Sequence, residues 1–536
     1  MKTIITILFL IIFILTSCKQ TNKKQDVSRT DFIYLDGKTF NHKGKDFFPI
    51  MLNYVVSFRN IENEYLLSPI KEYENPEIFE TNTKDSLETQ IRGHLQLIKE
   101  MGFNSIRLVF DRVNNDSLKY YYPCDNQKLY LKKDYGIIFD GLEKFLKIVA
   151  EYDIKVMLLI KAPVENIDLE RFTACLLEKF QNNTCIFSYD FFNEPLYFDQ
   201  VQLPNDKQNR KKEDAYKIVW KWKRMMTEYA PNQLFTIGFS EPIEVFEWDP
   251  EMLPVDFISF HTYNPLRVAN EIYWYSKYTS KPWMVGETAL PADGDSISYD
   301  EQKQFIKEVY RWIVDCGGSG LGWWEFQEIP NTHFEAQYTG ILNHKGITIT
   351  KDGKYKIQGS VKPAVEEIAN FNEYKPKLPF CMVNYYNMLG YNNFVLCGKI
   401  INSIDGKPIE GAVIRGWNES WAIGINTFTN EKGEFTLYSN DICVHFEISA
   451  PKMNKLKFNY KTRYYPLTNK GYEIQSLPNQ SLEYHNISYK SFLLHPQSPD
   501  SIDSDFHIFN FDPAKFNSAK FRGFMGIKEL KPLYHK

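Results

Sequence analysis

Two glutamates in this sequence each follow a short apolar segment with the composition of a buried strand. Glu194 follows residues 186–192 within an Asn-Glu-Pro tripeptide, and Glu287 follows residues 283–286. If both segments are parallel strands of one barrel, the two carboxylates face each other across its mouth. A facing pair of carboxylates is the machinery of glycoside hydrolysis, and a separation of about 5–5.5 Å makes one of them a nucleophile. The pair therefore predicts acid/base and nucleophilic chemistry at a sugar.

The segments around these glutamates alternate in a pattern that predicts a barrel. From residue 31 to 372, short runs rich in β-branched and aromatic residues alternate with longer stretches of helical periodicity, which is typical of βαβ units. Eight strands fit a (β/α)8 TIM barrel, an α/β fold. The predicted strands are 47–53, 105–110, 155–160, 186–192, 234–239, 257–260, 283–286 and 320–324, and the predicted helices are 86–101, 141–152, 169–180, 213–229 and 299–316.

The barrel segment is longer than such barrels usually are, and we expect the excess to lie in loops. Its roughly 340 residues exceed the ~250 that are typical. The long loops leave the C-terminal ends of strands, where barrels place their active sites, and would build the walls of a substrate cleft. A hairpin at 32–41, turning at Asp36-Gly37, is expected to cap the barrel floor. The predicted long loops are 54–85, 111–134, 196–212 and 325–346.

At these motifs the chain resembles glycoside hydrolase family 5 and, more broadly, the clan of retaining barrel glycosidases. That clan places the acid/base on the fourth strand and the nucleophile on the seventh, and the resemblance spans most of residues 31–372. It implies that Glu194 serves as general acid and then base, that Asn193 contacts the sugar 2-hydroxyl, and that Glu287 is the nucleophile. It also implies a β-linked glycan as the substrate.

Four further residues match motifs of the family at strand ends. Arg107, within the second-strand motif at 101–108, supports the nucleophile in the family. His261 and Tyr263 match the His-x-Tyr motif that ends the sixth strand, in which the tyrosine hydroxyl touches the nucleophile. Trp324 matches the eighth-strand tryptophan that forms the floor under the reacting sugar. Each residue taken singly also fits an ordinary salt bridge or core contact, and their order and position favour the site.

Physical chemistry supports these roles without the family. A nucleophilic carboxylate must stay ionised, and hydrogen bonds from Arg107 and Tyr263 would lower the pKa of Glu287. Glu194 must carry a proton in the first step and accept one in the second. Because two carboxylates supply the whole chemistry, no metal or organic cofactor is required. One departure is Lys161, which stands near the end of the third strand where family members often carry histidine, and it leaves the substrate open.

The residues leave several functions open. The first is hydrolysis of β-glycosidic bonds in a polysaccharide or oligosaccharide such as β-mannan or β-glucan. An exo-acting β-glycosidase or a transglycosylase of the same clan would use the same residues. A non-catalytic glycan-binding lipoprotein of the cell surface is the alternative from another class. The presence of both glutamates together with Arg107 and Tyr263 argues against it, because a barrel that only binds has no need of the pair.

Beyond the barrel the pattern changes to short strands separated by turn residues. A polar, Pro-containing stretch at 373–393 predicts a linker, and 394–500 predicts a small all-β sandwich. The strings at 398–400, 406–413 and 429–435 are similar to carboxypeptidase-regulatory-like domains, which are usually spacers. Residues 501–536 are expected to form a tail of unknown role.

The N-terminus has the pattern of a bacterial lipoprotein. A charged start, an apolar run and small residues precede Cys18, which resembles a lipobox whose cysteine is lipidated after cleavage. Residues 1–18 predict the signal peptide and 19–30 a tether. A spanning helix is disfavoured because the apolar run is too short. The expected location is a bacterial membrane, facing the periplasm or the cell surface and with the outer membrane favoured, where the lipid makes the attachment.

Composition excludes a nucleic-acid partner, because 63 Lys+Arg and 67 Asp+Glu leave a net charge of only -4. Aromatic residues are abundant, with 40 Phe, 34 Tyr and 10 Trp making 16% of the chain. Aromatic platforms for sugars are therefore worth testing, although core packing explains most of this content. The cysteines beyond Cys18 are scattered, with neither a zinc-site spacing nor a disulfide framework.

Overall fold

The computed structural model describes residues 28–110, 132–160, 167–197, 210–265, 267–330, 337–371, 394–402, 405–421, 424–439, 443–459 and 487–492. The predicted signal peptide at 1–18 with Cys18, the linker at 373–393 and the tail at 501–536 lie outside these residues, and so does Lys161. Within the described ranges, no helix combines the length and apolar content that crossing a bilayer requires.

A small antiparallel sheet closes the bottom of the molecule, as the predicted hairpin requires, and it has a third strand. Its strands are β1 (Ile33–Asp36), β2 (Thr39–His42) and β3 (Lys45–Phe47). Ile33 and Phe40 pack against side chains from the N-terminal ends of the barrel strands, which include Met51, Met157 and Met284. The sheet therefore fills the barrel floor, at the end opposite to the C-terminal mouth.

Eight parallel strands form a closed barrel, which confirms the predicted (β/α)8 architecture. Each strand pairs with its neighbours in chain order, and the eighth pairs back with the first. In chain order the strands, with one antiparallel hairpin partner β5, are β4 (Ile50–Ile61), β5 (Glu64–Pro69), β6 (Ser105–Phe110), β7 (Lys155–Leu159), β8 (Ile186–Asn193), β9 (Leu234–Phe239), β10 (Ile258–His261), β11 (Trp283–Thr288) and β12 (Leu321–Trp323).

The structure differs from the prediction around the first barrel strand. The loop predicted at 54–85 is wrong in its first part, because β4 continues past the rim and turns back as β5. Glu62 and Asn63 have φ of 50° and 63°, and positive φ at both positions is what a two-residue hairpin turn of type I′ requires. The predicted start at residue 47 is also wrong, since that residue ends β3 and Pro49 cannot donate a hydrogen bond to a ladder.

Helices surround the barrel, and all five predicted helices are present with ends shifted by a few residues at most positions. The sixth helix begins with a capping box, in which the Ser298 side chain accepts from the Glu301 amide and the Glu301 carboxylate accepts from the Ser298 amide. The helices are α1 (Lys84–Glu100), α2 (Lys132–Glu151), α3 (Ile167–Phe180), α4 (Lys212–Tyr229), α5 (Val268–Tyr278), α6 (Tyr299–Asp315) and α7 (Ala364–Ala369).

The periodicity does not predict helix α5, nor the short helix α7, and for α5 the structure shows why. Its first eight residues, Val268 to Tyr275, are all buried, so it has no polar face over most of its length. The reason is that a second layer covers its outer side. The Trp274 indole donates to the Gly411 carbonyl at 2.9 Å, and Phe428 packs on Tyr273.

That second layer is the C-terminal β-region, β15 to β21, which we call the β-domain. It consists of a three-stranded and a four-stranded antiparallel sheet, and it gives the fold its all-β second part. Its own core includes Ile400, Ile414, Phe435 and Phe446. After a short hairpin of β13 (Ile347–Ile349) and β14 (Lys356–Gln358), its strands are β15 (Phe394–Asn402), β16 (Val413–Asn418), β17 (Gly424–Phe428), β18 (Glu434–Ser439), β19 (Cys443–Ser449), β20 (Leu456–Asn459) and β21 (Ile487–Phe492).

Candidate active site

The two glutamates singled out by the sequence meet at the C-terminal mouth of the barrel. Glu194 directly follows β8, and Glu287 lies near the end of β11. One carboxylate oxygen of each lies within 4.8 Å of the other. Their exposure differs, since 5% of the Glu287 side chain and 18% of the Glu194 side chain are accessible to solvent.

Glu287 is held by side chains from two barrel strands, since Arg107 lies on β6 and Tyr263 just follows β10. Arg107 donates through Nη1 to Oε1, and the Tyr263 hydroxyl donates to Oε2. His261 Nδ1 lies 3.6 Å from the same Oε2. Burial alone would raise the pKa of Glu287, but the electrostatic effects of His261 and Arg107 and the hydrogen bonds from Tyr263 and Arg107 outweigh it and lower that pKa. The carboxylate is therefore kept ionised and oriented.

Arg107 is itself fixed inside the barrel. Its Nε and Nη2 donate to one Asp190 oxygen at 2.9 and 2.7 Å, and its Nη1 donates to Asn53 Oδ1 at 3.1 Å. Nη2 also donates to Asn193 Oδ1 at 2.8 Å, so one guanidinium connects the residue before Glu194 to the carboxylate of Glu287. Neither side chain of Arg107 and Asp190 is exposed to solvent. This is a buried ion pair in which two guanidinium nitrogens share one carboxylate oxygen, and it orients the site.

Asp190 and Asn53 are functional positions that the sequence reasoning missed. Asp190 also accepts from the Gly238 amide at 2.8 Å, and Asn53 donates to the carbonyls of Gly286 and Trp323 at 3.2 and 3.0 Å. The available signal was the residue type, since a charged or amide side chain within an otherwise apolar barrel strand has to be paired.

Glu194 stands on a distinctive backbone conformation. Its φ is 46°, in the left-handed region that residues other than glycine rarely adopt, and its amide donates to the Gly238 carbonyl at 2.6 Å. The carboxylate contacts His261 Nδ1 at 2.9 Å. Gly238 has to be glycine here, because a Cβ would lie 2.9 Å from the His261 ring and 3.0 Å from Asp190. His261 is thus positioned between the two glutamates.

A buried carboxyl group that the sequence reasoning also missed supports the turn after Glu194. Glu244 lies in the 3-10 helix Pro242–Phe246, which follows β9. Both of its oxygens accept from the Leu196 amide, at 3.2 and 3.3 Å, and the Ser240 amide and hydroxyl donate to it at 3.1 and 2.9 Å. Burial raises the pKa of Glu244 to about 8.

The two tryptophans of the eighth strand divide between core and site. Trp323 is fully buried and its indole donates to the Thr339 carbonyl at 3.1 Å. Trp324 is partly buried, and its amide donates at 2.9 Å to the carbonyl of Thr288, the residue after Glu287. The peptide bond from Trp324 to Glu325 is cis. Alternation along a strand makes Trp324 the tryptophan that is left beside the site.

Glu194, His261 and Glu287 are also the group in the described ranges that could hold a metal ion. One ligand atom each from Glu194, His261 and Glu287 lie within 4.8 Å of one another. Arg107 already bonds to Glu287, and its charge would repel a cation at this position. The arrangement fits a paired-carboxylate site better than a metal centre.

No protein-family model matches the chain, and no curated protein matches it. Among solved structures it is similar to an exo-β-1,4-mannosidase from Opitutaceae bacterium strain TAV5, with 16% identity and a TM-score of 0.44 over 63% of this chain and 62% of that one. A glycoside hydrolase family 5 mannosidase from Rhizomucor miehei has 12% identity and a TM-score of 0.40, with 64% and 97% covered. A family 1 β-glucosidase from Thermotoga maritima has 10% identity and a TM-score of 0.41, with 63% and 98% covered.

The chain thus spans 62% of the length of the first of these mannosidases. The fold follows from the strand order of this chain itself, and any conclusion about function has to come from its own side chains.

Proposed function

We propose that this protein is a retaining β-glycosidase in which Glu287 is the nucleophile and Glu194 the acid/base. The observation that carries the proposal is the pair itself. Two carboxylates lie within 4.8 Å at the mouth of a barrel, one anchored by Arg107 and Tyr263 and the other more exposed. This separation suits direct attack on the anomeric carbon, since inverting enzymes need room for a water between the groups.

In the first step, Glu287 attacks the anomeric carbon while Glu194 gives its proton to the glycosidic oxygen. The bond from carbon to the leaving oxygen breaks, and an ester between Glu287 and the sugar forms. Arg107 and Tyr263 keep the attacking carboxylate ionised and aimed. His261, 2.9 Å from Glu194, holds the acid in place.

In the second step, Glu194 accepts a proton from a water that attacks the same carbon from the face the leaving group left. The ester bond breaks, Glu287 returns to its ionised form and Glu194 regains its proton. Two inversions leave the product with the configuration of the substrate. Asn193, which accepts from Arg107, would contact the sugar 2-hydroxyl, and Trp324 would form the floor beneath the ring.

The finer parts of the proposal come from the sequence. They are membership of family 5, a β-mannan or β-glucan backbone as substrate, and a lipid anchor at Cys18 that holds the enzyme at a bacterial membrane. Residues 31–372 would form the catalytic domain, and residues 394–500 an attached β-sandwich. No cofactor is needed for the two steps.

The test is a hydrolysis screen of the full chain against β-mannans, β-glucans and aryl β-glycosides. We expect turnover with wild type, a β-configured first product by NMR, and no turnover with Glu287→Gln. An α-configured first product, or equal activity in the two proteins, would overturn the mechanism. Binding of a glycan by wild type without any turnover would indicate a binding protein instead.

A further inference from the structure

One face of the β-domain lies against the barrel and its side chains follow the alternation of a strand. Along β16, Val413 belongs to the hydrophobic core of the barrel, whereas Ile414 belongs to the core of the β-domain. Arg415 lies one position further, on the same face as Val413. Arg415 therefore faces the barrel.

The neighbour of Arg415 on β17 shows which part of the barrel this row meets. Asn426 is the register partner of Arg415, so both side chains lie on one face. Arg267 donates to Asn426 Oδ1 at 3.0 Å and to Glu241 at 2.9 Å, and the amide of Asn426 lies 3.5 Å from Glu241. Glu241 and Arg267 follow the fifth and sixth barrel strands. This row of the sheet therefore meets the barrel at its active-site rim.

Within the part of the chain that the structure describes, Arg415 is a buried cation without an acceptor of its own. It is 4% exposed, and its contact within the described residues is with the ring of Trp417, 5.0 Å from the guanidinium carbon. The nearby carboxylates already have cations, because Glu447, opposite on β19, pairs with two lysines and Glu241 pairs with Arg267. Burying an unpaired charge is costly, and a guanidinium binds carboxylate and sulfate groups in a bidentate manner.

Tyr197 connects the surroundings of Arg415 with the acid/base glutamate. Tyr197 lies three residues after Glu194, and its amide donates to the Glu194 carbonyl at 2.9 Å. Burial and the charge of Glu241 raise the pKa of the Tyr197 hydroxyl, Glu194 adds to this, and the charge of Arg415 acts in the opposite direction. One hydroxyl thus lies within the electrostatic reach of both Arg415 and Glu194.

We propose that Arg415 is the anion-binding residue of a substrate subsite to which the β-domain contributes. The glycan cleaved at Glu194 and Glu287 then carries an acidic group, a carboxylate or a sulfate ester, on a sugar close to the cleaved bond. This inference rests on the proposed glycosidase function and adds the class of substituent. It also makes the β-domain a part of the cleft, whereas modules of the kind it resembles are usually spacers.

The experiment compares full-length wild type with Arg415→Met on three matched sets of β-linked oligosaccharides, which are neutral, uronic-acid-bearing and sulfated. Wild type is expected to have a kcat/KM at least tenfold higher on one acidic set than on the neutral set, and the two acidic sets identify which anion is bound. Arg415→Met should lose this tenfold preference and keep its activity on neutral chains within twofold. Arg415→Lys, which keeps the charge but not the bidentate geometry, should retain part of the preference.

Lys452→Met is the matched control, because it removes an exposed cation of the β-domain that pairs with Glu251 at the barrel. It should change neither activity. Equal kcat/KM of wild type on acidic and neutral chains would overturn the inference. So would an equal loss on all sets in Arg415→Met together with a lower Tm, since that result would indicate a packing role alone.

A binding measurement separates this inference from the proposed function. Calorimetric titration of Glu287→Gln with the acidic oligosaccharides should give binding that disappears when Arg415→Met is added. If wild type hydrolyses nothing but this binding depends on Arg415, the subsite holds and the glycosidase proposal fails. If wild type hydrolyses neutral glycans and binding is indifferent to Arg415, the glycosidase holds and the subsite fails.

Discussion

The fourth and seventh barrel strands each end near a glutamate, but the two glutamates differ in burial and in the donors they receive. At the seventh strand, Glu287 is almost fully buried and both of its oxygens receive donors, from Arg107 and Tyr263. At the fourth strand, Glu194 is more exposed and its carboxylate has the single contact to His261 among the described residues. Glu287 is therefore fixed through its side chain, whereas the Glu194 side chain is accessible to solvent.

The residues that support the two glutamates differ in the same way, since one set holds a side chain and the other holds the backbone. Behind Glu287, the Asp190 and Asn53 side chains fix Arg107, which fixes the carboxylate. Behind Glu194, Glu244 fixes the backbone of the following turn, and the Glu194 carboxyl group itself contacts His261. A nucleophile needs a constant charge and direction, whereas an acid/base has to exchange its proton with a leaving group and then with water. The contrast therefore supports the proposed assignment of Glu287 as nucleophile and Glu194 as acid/base.

The largest loss of activity is expected from a substitution of Glu287. Replacing it by alanine removes the nucleophile, and we expect kcat to fall by about 10⁴-fold or more, as for other covalent catalysts. Added azide should then restore turnover of an activated β-glycoside by attacking from the vacated side, giving an α-glycosyl azide. NMR of the product checks this. A β-glycosyl azide from this variant would mean that the two roles are reversed.

The matching change at Glu194 should cost less. Glu194→Ala removes a proton donor, and general acid catalysis contributes roughly 10²–10⁴-fold. The loss should be large for a natural glycan and small for the first step on an aryl glycoside whose leaving group needs no proton, so a burst of phenolate is expected. Azide should now give the β-glycosyl azide, which is the opposite anomer to that expected from Glu287→Ala. Rapid-mixing absorbance and NMR are the measurements, and a missing burst would argue against the assignment.

Most of the fold could be predicted because the barrel strands are short apolar runs between amphipathic helices. Both glutamates could be found because each directly follows such a run. Prediction failed where tertiary context changes the pattern. Helix α5 lost its amphipathic signal because the β-domain covers its outer side, and the β4–β5 hairpin has no glycine in its turn at Glu62 and Asn63.

The residues that support the site were harder to predict than the residues that would act in it. Asp190 and Glu244 are each defined by what they hold, which are Arg107 and the Leu196 amide, and those partners are distant in sequence or belong to the backbone. A pattern of residue types indicates that a buried acid needs a partner, but it does not identify the partner. The same limit hid Arg415, which faces the barrel only because the β-domain packs there.

The anchoring of Glu287 can be weakened without removing the glutamate. Tyr263→Phe deletes one of the donors that lower the pKa of Glu287, so that pKa should move up toward its ordinary value. A higher pKa leaves less carboxylate at low pH, and the acid limb of kcat/KM should shift to higher pH with a loss of about tenfold near neutrality. Tyr310→Phe, which removes a buried hydroxyl bonded to Phe371 far from the site, is the control and should leave the profile unchanged. An unshifted acid limb in Tyr263→Phe would contradict the anchoring.

The smallest effect is expected behind Glu194, at Glu244. Because the pKa of Glu244 is raised to about 8, its carboxyl group is mostly protonated at neutral pH, and glutamine resembles that form in shape and charge. Glu244→Gln should therefore change kcat by only a few-fold, whereas Glu244→Leu, which removes the acceptors of the Leu196 and Ser240 amides, should cost more. Equal losses in the two variants would show that those hydrogen bonds do not support the turn.

Thermal unfolding provides the second half of this test. Folded Glu244 keeps a proton that the unfolded chain loses near the ordinary glutamate pKa of 4.5, so wild-type stability should decline as pH rises from that value through about 8. Glu244→Gln has no such proton to release. Its Tm should therefore fall less steeply than that of wild type over this window, while Glu271, whose pKa burial also raises to about 8, contributes equally to both proteins. Parallel Tm curves would mean that Glu244 is ionised throughout. The turn after Glu194 would then be supported by a carboxylate of constant charge, like the carboxylate of Glu287.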